Sequence, residues 1–185
     1  MKTETLYKPE VIDIDKRKKI IKANLTKKLS HKEPKKIKNK WVACPIIMMD
    51  IDVPIYHLNN GRTRDAQRSY VKMNNHKDNY FEKGLENNQQ QRIQHKILYE
   101  LSQDNTANIH RELKTSIKFR EDAPLLIDSN GMLINGNRRM AAIRELYKSD
   151  VKKYDDFKRI PCAVIEQFLD DKTIKEIENF LQVIK

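Results

Sequence analysis

The chain has 185 residues, 38% hydrophobic and 34% charged, with a formal net charge of +11. That length suits one domain with a long extension or a small second lobe, and it is enough to bury a real core. No apolar run approaches the roughly 18 residues that a membrane-crossing helix needs, and the first ten residues lack a secretory apolar segment, so the expected compartment is the cytoplasm.

The charge is uneven. Residues 1–40 hold 14 Lys/Arg against 5 Asp/Glu, whereas residues 41–185 hold 23 against 21. The basic excess therefore belongs to an N-terminal arm (1–40) preceding a domain (41–185). Such an arm suits nucleic acid or an anionic surface, the plain alternative being a solvated lysine-rich helix. Within it, DIDKRKKIIKANLTKKL (13–29) spaces Ile14, Ile20, Ile21, Leu25 and Leu29 as a basic amphipathic helix. SHKEPKKIKNK (30–40), with Pro34 inside a charge run, reads as a linker or exposed arm.

WVACPIIMMDIDVPIYHLNNGRTR (41–64) is apolar and β-branched, punctuated by Pro45 and Pro54. It reads as one or two short strands ending at the NNG turn, with Arg62 and Arg64 just beyond. Trp41, the only tryptophan, is expected to be a core anchor. Cys44 and Cys162 are the only cysteines and form no C-x-x-C pattern, which fits two reduced, partly buried thiols. Residues 65–104 give a short helix around Tyr70, Val71 and Met73. A longer helix follows, with Ile93, Ile97, Leu98 and Leu101 on one face and the glutamines 89–91 on the polar side. A third amphipathic helix spans 108–121, with Ile109, Leu113 and Ile117 at four-residue spacing.

The last third alternates. APLLID (123–128) is a strand, SNG (129–131) a tight turn with Gly131 at positive φ, and MLI (132–134) a return strand. GNRRMAAIRELYKS (136–149) is a helix burying Met140, Ile143, Leu146 and Tyr147. RIPCAVIEQ (159–167) is a strand, and DDKTIKEIENFLQVI (170–184) a helix that opens on the acids Asp170 and Asp171. Together these elements predict an α+β fold with a small mixed sheet.

One motif carries chemistry. At Gly136-Asn137-Arg138-Arg139 a helix begins. Its first turn has free N–H groups, its dipole favours negative charge, and glycine lets an anion approach the backbone. Asn137 can cap or donate, and the two guanidinium groups suit phosphate oxygens. The alternative is an ordinary capped helix with surface arginines.

The surroundings of this turn resemble the ParB/sulfiredoxin superfamily, specifically the ParB N-terminal (ParB-like nuclease) domain. The similarity covers about residues 109–182 and extends more loosely over 46–64. In that family a helix ending in L-x-x-S-I precedes a strand, a Gly turn and GERR-x-x-A. Here Leu113-Lys114-Thr115-Ser116-Ile117 precedes PLLIDSNGMLINGNRRMAA. The family's Ile-Pro strand is matched by Ile160-Pro161-Cys162-Ala163-Val164, and its EN-x-x-R helix by Glu178-Asn179-Phe180-Leu181-Gln182. An arginine-bearing loop after the first strand is matched by Arg62 or Arg64.

The resemblance implies a small mixed sheet flanked by helices, with residues 65–104 as a helical insertion. It implies a pocket for a nucleoside triphosphate, CTP or ATP, held by Gly136, Asn137, Arg138, Arg139, Arg62, Arg64 and Asn179. Glu178 and Asn179 would sit near a magnesium ion, with Glu178 as the catalytic candidate, and the partner would be DNA in plasmid, phage or defence biology. Two positions depart from the pattern. Asn137 stands where ParB has Glu and sulfiredoxin its reactive Cys, which excludes sulfiredoxin chemistry. Gln182 replaces the third-box arginine, which weighs against hydrolysis. The Glu178–Gln182 stretch ends three residues from Lys185, so a longer protein with further domains is the expectation; the alternative is a stand-alone relative with its own partner surface, and a homodimer is a further expected partner arrangement.

The remaining candidates compete with plainer roles. His57, His76, His95 and His110 lack metal-ligand spacing, so surface or packing roles are expected. His110 and Glu112 read as helix surface before acid or base. Asp50 and Asp52 could ligate a metal in a nuclease, or simply face solvent at a turn. A metal-dependent DNA nuclease and a non-enzymatic DNA- or partner-binding module are thus the alternative functions.

Overall fold

A computed structural model describes residues 6–29, 32–37, 40–103, 108–115, 123–167 and 169–183. Its elements are, in chain order, α1 (Ile14–Leu25), β1 (Lys32–Ile37), β2 (Lys40–Asp50), β3 (Ile55–Tyr56), α2 (Arg64–Met73), α3 (Asn88–Ser102), α4 (Ile109–Thr115), β4 (Leu125–Asp128), β5 (Met132–Asn135), α5 (Asn137–Ser149), β6 (Arg159–Ile165) and α6 (Asp171–Val183). The six strands form one sheet in the order β1-β2-β6-β4-β5-β3. The β6–β4 and β5–β3 pairs are parallel and the others antiparallel. The fold is therefore α+β with a mixed sheet, as the alternation of patterns predicts.

Period-two alternation sends successive strand residues to opposite faces. On one face, Ile47, Met49, Leu125, Ile127, Cys162 and Val164 meet Ile21 of α1, Leu98 of α3, Leu113 of α4, and Met140, Ile143 and Leu146 of α5. On the other, Cys44, Ile46, Leu126, Ile134, Ala163 and Ile165 meet Ile174 and Ile177 of α6. Helices cover both faces, and for that reason the inner strands read as unbroken apolar runs. A satellite cluster of Leu58, Val71, Phe81 and Ile97 holds α2 and the following loop against α3.

Local chemistry sets the boundaries. Asp13 and Asn87 cap α1 and α3 with their side chains, and Asp170 accepts from the Thr173 backbone N–H at 2.7 Å ahead of α6. At the β4–β5 turn, Asp128 Oδ1 accepts from the N–H groups of Asn130 and Met132. Gly131 takes φ +83° there, as its place in the turn predicts. The third amphipathic helix is described only to Thr115. Ser116 and Ile117 of the first motif box, and the side chain of Gln182, lie outside the described residues.

Three expectations need correction. Residues 32–37 are neither linker nor free arm: Lys32–Ile37 is strand β1, paired in antiparallel register with Lys40–Pro45 of β2. It is an edge strand, where the missing N–H of Pro34 is tolerated. Trp41 is no core anchor, being 69% exposed on β2. The glutamine tract is not simply a polar face, because Gln91 is fully buried. Its side chain accepts from the Tyr56 N–H at 2.8 Å and donates to the Tyr56 carbonyl at 3.0 Å. It thereby supplies the hydrogen bonds that a further strand would give the outer edge of β3.

The basic helix α1 is docked on the domain. Arg17, fully buried, donates to the Asn130 carbonyl at 2.8 Å and to the Ile12 carbonyl, and pairs with both oxygens of Glu86 at 2.8 and 2.6 Å. Lys16, Lys18, Lys19 and Lys22 are exposed on α1, beside Asp15 and Ala23.

Candidate functional site

β3 and β5 run parallel at one edge of the sheet, so the segments that leave their C-terminal ends, starting at His57 and Gly136, emerge side by side. Gly136 takes φ +91° and precedes the first turn of α5 without giving it a side-chain cap. Two local demands select glycine here. The left-handed conformation disfavours a Cβ, and a Cβ would collide with the Leu125 side chain. Gly136 thus gives α5 no side-chain cap of the kind that Asp13 and Asn87 give α1 and α3.

The four residues of the motif behave differently. Asn137 is buried, with both ends of its amide used within the fold. Its Oδ1 accepts from the His57 N–H at 3.1 Å, and its Nδ2 donates to the Leu133 carbonyl at 3.0 Å. Arg139 turns back to donate to the carbonyls of Ala123 and Pro124 ahead of β4. Burial lowers its guanidinium pKa to about 10, leaving it cationic at neutral pH. Arg138, half-buried, is engaged in contacts of its own.

Glu178 of α6 reaches the same edge. Its Oε1 lies 3.0 Å from His57 Nδ1, with the two side chains 10% and 9% exposed. His57 therefore joins three elements, taking Asn137 of α5 through its backbone N–H and Glu178 of α6 through its ring. Residues from the second and third motif boxes meet at this histidine. The other candidates are less gathered: Asn179 is exposed on α6, and Arg62 and Arg64 are exposed just beyond β3. Asn60 Oδ1 caps the single 3-10 turn (Gly61–Thr63) that carries Arg62.

Behind His57 lies a buried polar network that pattern reading misses. The Tyr56 hydroxyl is 2.7 Å from His95 Nδ1, and His95 Nε2 is 2.6 Å from Glu145 Oε1. Neutral imidazole satisfies both contacts if Nε2–H donates to the carboxylate and Nδ1 accepts from the phenol. Desolvation lowers the His95 pKa and outweighs the opposing hydrogen bond from Glu145. Arg144, also buried, donates to the carbonyls of Ile51 and Pro54 and lies over the rings of Tyr56 and Tyr7. Tyr7 closes the network from outside: its N–H donates to Glu145 at 2.7 Å and its hydroxyl to Asp52. Gln94 completes the support, donating to the His57 carbonyl and to Thr63 Oγ1.

The acidic nuclease candidates have local partners. Asp50 Oδ1 accepts from the Asp52 N–H at 3.0 Å, and Asp52 accepts from Tyr7. Both fit the turn-edge reading. His110 packs edge-on against Tyr99 at 5.5 Å, and Glu112 is exposed. Among the described residues, no group of three or more His, Cys, Asp or Glu is placed to hold a metal ion, and no helix is long and apolar enough to cross a membrane. Comparison of the chain with known protein families, curated proteins and solved structures finds no match.

Proposed function

We propose that this chain is a ParB-like nucleotide-binding domain that takes the phosphates of a nucleoside triphosphate at the start of α5 and acts together with DNA. The observation that carries the reading is the uncapped first turn of α5 behind the left-handed Gly136, with His57 and Glu178 beside it. The helix dipole gives such a turn a positive potential for phosphate. Arg138 adds a guanidinium to that field. Arg139 and Asn137 act one step removed, fixing the turn against β4 and β3. The order of elements, strand-turn-strand, turn, helix, strand, helix, is the order that the ParB/sulfiredoxin resemblance implies.

Magnesium enters with the nucleotide in this reading. It takes oxygen ligands and commonly needs only one or two carboxylates beside phosphate and water. The donors present suit that in part. Glu178 offers a carboxylate at the turn, whereas Asn179, the next residue on the same helix, is turned roughly 100° away and exposed. Glu178 would therefore hold the ion, which would supply charge neutralisation of the phosphates.

The His57–Glu178 pair favours a second reading, hydrolysis of a backbone phosphate by a nuclease. Glu178 orients the imidazole through Nδ1 and leaves Nε2 as the atom that moves a proton. Two assays separate the readings. Calorimetric titration of each of the four nucleoside triphosphates with magnesium is expected to give heat for at least one, weakened on the order of tenfold or more in Arg138→Ala. No heat with any of the four overturns the nucleotide reading. Supercoiled-plasmid nicking that disappears in Glu178→Gln and His57→Ala would establish the nuclease instead.

A further inference from the structure

The corrected position of Trp41 has a consequence. The pairing of β2 with β6 begins at Ile46, so Lys40–Pro45 pairs only with β1 and the two form a two-stranded ribbon at the sheet edge. Part of this ribbon is anchored on α6. Ile37 is buried with Ile174 and Ile177, Val42 packs against the same cluster, and the Lys36 ammonium lies 5.6 Å from the centre of the Phe180 ring. The rest is open: Lys32, Pro34, Lys40, Trp41 and Ala43 are all exposed. Trp41 stands directly across the ribbon from Lys36.

Charge makes this indole more than a stray surface aromatic. Residues 27–40 contain seven lysines and one acid, Glu33, and Glu33 is paired with Lys35 at 2.8 Å. Of the ribbon's remaining lysines, Lys36 and Lys32 lie on the same face as Trp41, and Lys40 is its chain neighbour on the opposite face. A protein-docking tryptophan sits among apolar neighbours in a pocket that excludes water, and this ribbon provides none. A membrane-surface element needs an apolar face to immerse, and one indole beside Ala43 and Pro34 does not make one. An exposed aromatic on a ribbon that also carries exposed lysines is the arrangement that stacks on a base while cations follow the phosphates.

We infer that the β1–β2 ribbon is a single-stranded nucleic-acid contact, in which Trp41 stacks on one base and Lys32, Lys36 and Lys40 bind the flanking phosphates. This rests on the nucleic-acid half of the proposed function and is independent of the α5 turn. It assigns the contact to the ribbon instead of the lysines of α1.

Trp41 is the only tryptophan, so its emission reports directly on the contact. The full chain would be titrated with a 15-residue oligothymidylate at 50 and 300 mM NaCl. Emission is expected to be quenched, with affinity falling about 40-fold between the two salts for three phosphates neutralised on a single strand. Followed by the anisotropy of a labelled oligonucleotide, since these variants carry no tryptophan, Trp41→Ala should weaken binding on the order of tenfold, and Trp41→Phe should restore most of it. As an exposed residue, Trp41 should leave the unfolding midpoint nearly unchanged when replaced, which keeps the comparison clean. Binding that leaves emission unchanged and is equally tight in Trp41→Ala overturns the proposal. So does stronger quenching by phosphatidylserine vesicles than by the oligonucleotide. If Lys18→Gln/Lys22→Gln abolishes binding while Trp41→Ala does not, the contact is α1 and only this inference fails. If the oligonucleotide does not bind at all, the nucleic-acid half of the proposed function fails with it.

Discussion

Arg144 shows how much one buried side chain organises. Its guanidinium spans the Ile51 and Pro54 carbonyls and is sandwiched by Tyr7 and Tyr56. Arg144→Met would keep the bulk but leave both carbonyls without their donor, an expected loss of about 2–4 kcal/mol in denaturant unfolding. Arg144→Lys should not rescue it, since one ammonium cannot reproduce the planar fork. At the turn, Gly136→Ala is expected to cost at least ~1–2 kcal/mol for the left-handed backbone alone, before Leu125 has to move. His95 sets a pH dependence. Its folded pKa lies below the ordinary 6.5, so the unfolded chain takes the proton first as pH falls. The stability gained from the neutral imidazole is full above the unfolded value and is lost progressively below about pH 6.5. Unfolding midpoints of wild type should therefore fall more steeply between pH 7 and 5 than those of His95→Gln. Equal slopes would show that folding does not lower the affinity of this ring for its proton.

At the scale of elements, legibility in the sequence followed the source of each element's stability. β4, β5, α5, β6 and α6 were readable because apolar burial drives them and the period of burial is written in the residues. α3 was half readable. Its apolar residues Ile93, Ile97 and Leu101 mark one flank, but its most buried stripe is Gln91, Gln94, His95 and Leu98, a helical spacing of mostly polar side chains. Gln91 and Gln94 are buried because they complete the hydrogen bonds of β3 and the loop beyond it, a demand that exists only once the strand is an edge. Arg144 likewise shares the face of Met140 and Tyr147, a signal that composition alone disguises. β1 was missed because an edge strand needs few apolar residues. α1 belongs to the fold through Arg17 more than through its charge pattern. Arg17→Ala should cost about 2–4 kcal/mol and raise amide exchange in α1 well above that of β2 and β6. Uniform exchange across the chain would contradict a locally docked helix.

Across the whole molecule, helices cover both faces of the sheet, and the candidate site lies at one edge of it. The interior is chemically quiet. Cys44 and Cys162 are buried and free, and desolvation pushes their thiol pKa values up to about 11 and about 12. Both should react with Ellman's reagent slowly in the native chain and completely in denaturant; rapid native labelling would mean that the sheet opens at β2 and β6. Candidate chemistry gathers where parallel β3 and β5 end, because that is where α5 begins and α6 returns. The Gly136–Arg139 motif was legible there as a turn. The division of labour within it was not, since the inward use of Asn137 and Arg139 depends on where β3 and β4 lie. The most direct test of the central claim is an amide-resolved NMR titration with each magnesium–nucleoside triphosphate. The backbone N–H signals of Asn137, Arg138 and Arg139 are expected to shift first and furthest, together with the His57 ring. Saturable binding that leaves those signals unmoved, or no shift with any of the four nucleotides, would contradict it.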